Sequence, residues 1–230
     1  MNFAIILSGG VGSRTGLDIP KQYYEFDGRP LIQYVINTIE ECDELDGYVI
    51  VAADEWISFI QKIITAVKGK KDRFLGYATP GANRQLSIYN GLLKLKEVAA
   101  EKDIVLIQDA ARPFTSVDLI HNCFSLSEDE DGAMPVIPMT DTVYLSKDGK
   151  TVHSLLNRSE IFAGQAPESF RFGKYIKANE ALLPDAILKI NGSTEPAVMA
   201  GMSISMIDGD KNNIKITTAS DFEYFLPKDN

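Results

Sequence analysis

The sequence predicts an α/β protein in which a mainly parallel sheet is sandwiched between two layers of helices. Three observations carry this. Short apolar runs alternate with stretches of helical spacing through roughly the first 140 residues. The first of those runs leads directly into a turn with three glycines in four positions. No repeat, low-complexity tract or linker interrupts the 230 residues, so a single domain over 1–230 is the simplest organisation.

Phe3-Ala4-Ile5-Ile6-Leu7 reads as a fully buried strand, because a run without polar alternation offers no face to water. Pro30 through Ile39 carries apolar residues at helical spacing, with Pro30 suited to a first turn. Gly47–Ala53 is a second buried strand, and Asp54 is placed as the N-cap of a helix containing Trp56, Phe59, Ile60, Ile63 and Ile64. Phe74–Tyr77 is a weaker third strand, Ser87–Val98 an amphipathic helix, Asp103–Ile107 a fourth strand and Ala133–Ile137 a fifth. This alternation implies right-handed crossovers and a three-layer, Rossmann-like arrangement. In such sheets a ligand binds beyond the carboxyl ends of the strands, where the glycine turn falls.

The rhythm breaks after Thr140. Thr142–Leu145 and Thr151–Leu155 flank Ser146–Lys150, whose Asp148-Gly149 is a hairpin signal. Residues 141–156 are therefore expected to project as an arm. Helical sequence returns over Lys174–Leu182 and Thr194–Ala200. Ser203–Ile207 and Asn213–Thr217 read as short strands, and Ser220 as the cap of a last helix through Phe225.

Composition narrows the function. Twenty-three Lys and Arg against 32 Asp and Glu give a net charge of −9, which disfavours nucleic acid and anionic membranes as partners. A site for an anionic substrate must then concentrate its cations locally. Two cysteines, Cys42 and Cys123, show no metal-like spacing and predict a reduced, cytoplasmic setting. The chain opens on a strand rather than a signal peptide, and no run approaches the roughly 20 apolar residues of a membrane span.

Leu7-Ser8-Gly9-Gly10-Val11-Gly12-Ser13-Arg14, followed by Pro20-Lys21-Gln22, is the stretch that points to chemistry. Without Cβ atoms, backbone N–H groups can close round an anion. Arg14 and Lys21 add a planar fork and a point charge, and together they suggest a triphosphate cradle. The spacing is neither a dinucleotide fingerprint nor a Walker loop. Asp109, in Gln108-Asp109-Ala110-Ala111-Arg112-Pro113, would face the same crevice and could hold Mg²⁺ against phosphate oxygens. A strand-terminal helix cap accounts for it as well. Arg112 is read as tying the post-strand loop down.

Gly81-Ala82-Asn83-Arg84-Gln85-Leu86-Ser87 is a loop entering a helix, whose N–H groups and Ser87 hydroxyl could hydrogen-bond a base edge. An ordinary capped helix explains the stretch equally. Lys215 could reach an α-phosphate, or be one of many exposed strand lysines. Arg158, after the arm, could hold a phosphate bidentately or be solvated. His121 and His153 lack a partner pattern. No nucleophilic triad or metal-cluster spacing is discernible, so covalent catalysis has little support.

Taken together these blocks resemble the pyrophosphorylase-type nucleotidyltransferases. Within them the chain is similar to the cytidylyltransferases acting on methylerythritol phosphate or ribitol phosphate. The likeness spans nearly the whole chain: the glycine turn through Lys21, Asn83-Arg84…Ser87…Asn90-Gly91, Asp109–Pro113 and Asn213–Thr217 occur in the family's order. It implies the nucleotide-diphospho-sugar transferase type of fold. It also implies that Leu7 to Arg14, Lys21, Gly81, Arg84, Ser87, Asp109 and Ala110 bind CTP. Asp109 would ligate Mg²⁺, and Arg14, Lys21 and Lys215 would be catalytic. Arg158, Thr194 and Glu195 would bind the acceptor, with the arm swapped across a homodimer.

Two blocks depart from the methylerythritol enzymes. Ala166-Pro167-Glu168 stands where they resemble Thr-Pro-Gln. Ser193-Thr194-Glu195-Pro196 replaces their Thr-Asp-Glu-Ala, without its aspartate. Ser8-Gly9-Gly10 and Gly164-Gln165 look more like the ribitol-phosphate branch. The resemblance thus implies CMP transfer from CTP to a polyol phosphate, ribitol 5-phosphate favoured over methylerythritol phosphate. A non-catalytic nucleotide-binding homologue is the alternative from another class. The Gly10/Arg14/Lys21/Asp109/Lys215 set argues against that, since a binder needs no metal and α-phosphate ligands together.

Overall fold

The computed structural model describes residues 1–10, 19–67, 73–218 and 221. In chain order the elements are β1 (Asn2–Leu7), β2 (Glu25–Phe26), β3 (Arg29–Pro30), α1 (Leu31–Glu41), β4 (Gly47–Val51), α2 (Asp54–Ala66), β5 (Phe74–Ala78), α3 (Arg84–Leu95) and β6 (Ile104–Asp109). They continue with α4 (Val117–Phe124), β7 (Gly132–Pro138), β8 (Tyr144–Leu145), β9 (Ser154–Leu155), β10 (Phe162–Gly164), β11 (Glu168–Arg171), α5 (Phe172–Glu180), α6 (Glu195–Met199) and β12 (Ile204–Asp208).

The central sheet runs β5-β4-β1-β6-β11-β7, with β10 alongside β7 and β12 also paired to β7. Strands β5, β4, β1 and β6 are parallel. The period-2 alternation of strand side chains explains the three layers. Ala4, Ile6, Tyr48, Ile50 and Leu106 point one way, into a core with α1, α2 and α4. Phe3, Ile5, Val49, Val51, Val105 and Ile107 point the other way, into a core with α3, α5 and α6. Both faces are covered, which is why these strands read as unbroken apolar runs. Gly91 lets α3 lie directly on the sheet, since a Cβ there would come within 2.7 Å of Ile5.

Register brings the strand ends into line. Leu7 pairs with both Val51 and Asp109. Ser8 N–H donates to Val51 O at 2.9 Å and Ala110 N–H to Leu7 O at 3.1 Å. The glycine turn and Asp109 therefore emerge at one level of the sheet.

Several sequence expectations need correction. Asn213–Thr217 forms no strand. It is an extended coil laid over the turn after β6, with Ile216 N–H bonded to Ala111 O at 2.9 Å. Asp54 is the first residue of α2 rather than its cap; Ala53 holds the cap position, and no side chain caps that helix. The helix expected from Ser87 begins at Arg84, because the Asn83 side chain accepts from Leu86 N–H. Pro30 sits at the N-cap of α1 instead of in its first turn. The hairpin strands after Thr140 are two residues each, shorter than expected. Strand β11 was not foreseen; it runs antiparallel between β6 and β7. Ser220 and, apart from Asp221, the helix expected through Phe225 lie outside the described residues.

Candidate active site

The site is assembled from the carboxyl ends of β1 and β6 and three segments that fold over them. Gly9 is required by close approach: a Cβ there would stand 2.6 Å from Pro80, so the glycine turn and the loop before α3 interlock. A Cβ at Gly10 would meet nothing within 4 Å, and its backbone is exposed. Gln22 pins this start of the turn, its Nε2 donating to Ser8 O and Gly10 O, each at 2.7 Å. Tyr23 exchanges bonds with Ser8, and its ring stacks on Trp56 with centroids 4.1 Å apart. Lys21 opens the one-turn helix Lys21–Tyr23 and is half-buried. Val11, Gly12, Ser13 and Arg14 lie outside the described residues.

Asp109, the last residue of β6, is the electrostatic centre. Its Oδ1 accepts from Arg84 Nε at 3.2 Å and Nη2 at 3.0 Å, and Lys215 Nζ lies 2.7 Å from Oδ2. Arg112 Nε stands 3.9 Å from the same Oδ2. Burial opposes ionisation of Asp109, but Arg84 and Lys215 outweigh it and hold the carboxyl well below the usual range. Burial would likewise lower the pKa of Arg84, yet Asp109 and Glu168 raise it. Glu168, the first residue of β11, lies 3.9 Å from Arg84 Nη2 and bonds to Ser193 Oγ. Burial, helped by the nearby Asp109 charge, outweighs Arg84, Ser193 and Arg112 and pushes its carboxyl up. Three cations face two carboxylates here. Within a chain of net charge −9 this is the local excess of positive charge that an anionic ligand requires.

Lys215 reaches Asp109 because its segment is stapled down. Fully buried Asn213 donates to Ala166 O at 2.7 Å and accepts on its carbonyl from Arg112 Nη1 at 2.6 Å. Gln165 grips the backbone of Asp210 on both sides, at 2.9 and 3.1 Å. Arg112 thus ties the post-strand loop, as the sequence indicates, and Gln165 also takes a supporting place.

The sequence-predicted residues divide into two groups. Leu7, Ser8, Gly9, Gly10, Gly81, Arg84, Ser87, Asp109, Ala110 and Lys215 converge on this end of the sheet, but some have their polar groups engaged. The Ser87 hydroxyl donates to Asn83 O at 2.8 Å and accepts from Gly81 N–H at 2.9 Å, so it closes its own loop. The Ala110 N–H is held by Leu7 O. Thr194 touches the cluster through Glu168, Oγ1 to Oε1 at 3.5 Å. Glu195 turns away and accepts from Asn191 N–H at 2.9 Å. Arg158 is exposed on the arm and donates to Thr140 O at 2.7 Å, away from the Asp109 bonds described above. Gln22, Asn213, Ser193 and Glu168 are the members that sequence reasoning gave no role. Glu168 and Ser193 stand in the two blocks that depart from the shared pattern, and Gln22 and Asn213 stand inside shared motif blocks without a role of their own.

Three comparisons bear on this geometry. The family model described as 2-C-methyl-D-erythritol 4-phosphate cytidylyltransferase matches residues 2–225. A protein of that name from Geobacter metallireducens is 31% identical over 223 residues, covering 95% of this chain and 93% of the relative. A ribitol-5-phosphate cytidylyltransferase from Streptococcus agalactiae serotype Ia is 28% identical over 230 residues, covering 98% and 94%. The crystal structure of 4-diphosphocytidyl-2C-methyl-D-erythritol synthase from Anaerococcus prevotii superposes with a TM-score of 0.81 at 23% identity. It covers 97% of this chain and 93% of that one, and so shares the fold.

Proposed function

This chain belongs to the 2-C-methyl-D-erythritol 4-phosphate cytidylyltransferase family, and on that premise we propose that it transfers CMP from CTP to a polyol phosphate, ribitol 5-phosphate being the favoured acceptor. The observation that carries the reading is Asp109 at the end of β6, flanked by Arg84 and Lys215 and level with the glycine turn. An acceptor phosphate oxygen attacks the α-phosphorus in line; the bond to the bridging oxygen breaks, and pyrophosphate leaves with the electron pair. A phosphate monoester is already an anion at neutral pH, so the chain has no need of a general base.

Catalysis is then alignment and charge neutralisation. Lys215, half-exposed and already held over Asp109, is placed to meet the α-phosphate. The Gly9–Gly10 backbone, with Arg14 and Lys21, takes the rest of the triphosphate. No described group of three His, Cys, Asp or Glu side chains could hold a metal alone. One ionised carboxylate does fit Mg²⁺, which takes one or two protein carboxylates and completes its shell with phosphate oxygens and water. Asp109 would hold it, and the bound ion would neutralise phosphate charge.

The Ser193–Pro196 segment, which lacks an aspartate, favours the pentitol. The family match and the Geobacter relative favour methylerythritol phosphate as the second reading. Pyrophosphate release from CTP and Mg²⁺ separates them. Faster release with ribitol 5-phosphate than with methylerythritol 4-phosphate is expected, the reverse order would overturn the preference, and no release with either would leave a nucleotide-binding homologue.

The arm supports a homodimer. Tyr144, Leu145, Val152 and Leu155 are exposed on a hairpin of two-residue strands, and an isolated hairpin of that size is marginal in water. Deleting residues 144–154 should give monomers by sedimentation; an unchanged dimer would rule the arm out as the main contact.

A further inference from the structure

The proposed transfer leaves one buried carboxylate of the cluster without a task. Glu168 is 8% exposed and sits opposite Ile107 of β6, one residue short of the level where Gln108 and Asp109 end that strand. The side-chain groups that bond to it or pair with it are all donors. Ser193 Oγ donates to Oε2, Thr194 Oγ1 lies 3.5 Å from Oε1, and Arg84 Nη2 lies 3.9 Å away. Ser193 is 1% exposed and in turn accepts from Arg84 Nη1 at 2.9 Å, while its carbonyl accepts from Tyr175 Oη at 2.7 Å. Arg84 thus grips Asp109 with one edge and, through the Ser193 hydroxyl, Glu168 with the other.

We infer that Glu168 is a positioning residue that sets affinity for the acceptor: through Ser193 it locks the Ser193–Thr194 turn to Arg84, in register with the nucleotide-side carboxylate Asp109. The inference rests on the proposed transfer and on the family resemblance, which places Thr194 at the acceptor. The carboxyl offers one oxygen to each hydroxyl, Oε2 to Ser193 and Oε1 to Thr194, with Arg84 beside Oε2. A carboxamide of the same shape has an oxygen for only one of them and turns its NH₂ to the other, which loosens the turn. Arg84 keeps both of its bonds to Asp109 in that case, so the nucleotide side is left in place.

The test is steady-state kinetics of the full chain with CTP, Mg²⁺ and the better of the two polyol phosphates, for wild type, Glu168→Gln, Ser193→Ala and the double variant. Each single change is expected to raise the KM for the acceptor about tenfold with little change in that for CTP. Because both act along one chain of bonds, the double variant should also sit near tenfold rather than near a hundredfold. A purely structural role would lower the amount of active enzyme without moving the acceptor KM selectively. Active enzymes with unchanged acceptor KM, or with effects that multiply in the double variant, overturn the inference alone. A wild type that releases no pyrophosphate with any polyol phosphate overturns it together with the transfer reading. Should Glu168→Gln fail to fold, Ser193→Ala decides by the same criterion.

Discussion

Asp109→Asn is expected to lower turnover by about a thousandfold and to destabilise the fold at neutral pH. The neutral amide keeps the shape of the side chain but leaves Arg84, Arg112 and Lys215 facing one another without their shared counter-charge. Removing one preorganised electrostatic group costs about 10²–10³ in kcat, and Asp109 orients two cations as well as offering the carboxylate for Mg²⁺. Breaking a buried ion pair costs about 3–5 kcal/mol. Arg84 and Lys215 are 30% and 37% exposed, so solvent screens part of that and a loss nearer about 2 kcal/mol is expected. The sign with pH follows from the depressed pKa of Asp109. Its stabilisation is complete above the unfolded value of about 3.9 and is lost as pH falls through the folded value. Denaturant unfolding should therefore show a gap between wild type and variant that is full at neutral pH and closes in strong acid. Wild-type rates of pyrophosphate release in the variant would remove Asp109 from the centre of the mechanism.

Lys21→Ala is expected to cost about 10²–10³ in kcat, equivalent to about 2.7–4 kcal/mol of transition-state stabilisation, with the fold intact. The separation is physical. Among the described residues, Gln22 holds Ser8 O and Gly10 O, and Tyr23 holds Ser8. These ties do not use the lysine side chain, so the start of the turn keeps them while one positive charge against the triphosphate is removed. Kinetics with saturating CTP, read beside the thermal midpoint, distinguish the two effects. Near-normal activity in a folded variant would take Lys21 out of the mechanism.

The parallel half of the fold was legible because its strands are buried on both faces and its helices carry one apolar stripe; local pattern and burial agree there. Elsewhere local signals lost to tertiary ones. Asn213–Thr217 alternates like a strand, but its backbone is claimed by Ala111 and Arg112 rather than by a neighbouring strand. Asn83, not a later serine, starts α3, since its amide oxygen is the one that meets a free N–H. Strand β11 is four residues long and follows a proline, and its pairing with β6 spans more than sixty residues, so nothing local announces it. The site divides in the same way. Asp109 and Lys215 stood out in their motifs by charge, whereas Gln22, Ser193 and Asn213 act through several long-range hydrogen bonds that no residue spacing announces.

Strand β11 also bears on how such an enzyme can change over evolutionary time. Asp109 hangs from the carboxyl end of the parallel strand β6, level with the glycine turn after β1, and Arg84 opens the crossover helix α3. Glu168 enters from the opposite direction, at the amino end of an antiparallel strand whose incoming segment carries only the one-turn helix Arg158–Glu160. The exposed stretch Asn157–Glu160 can therefore be rewritten by drift or by an engineer while Gln165, Ala166 and the βα frame, which present Lys215 and Asp109, are preserved. On the proposed reading, one reversed strand then makes the acceptor half a replaceable module on a fixed nucleotide-handling chassis.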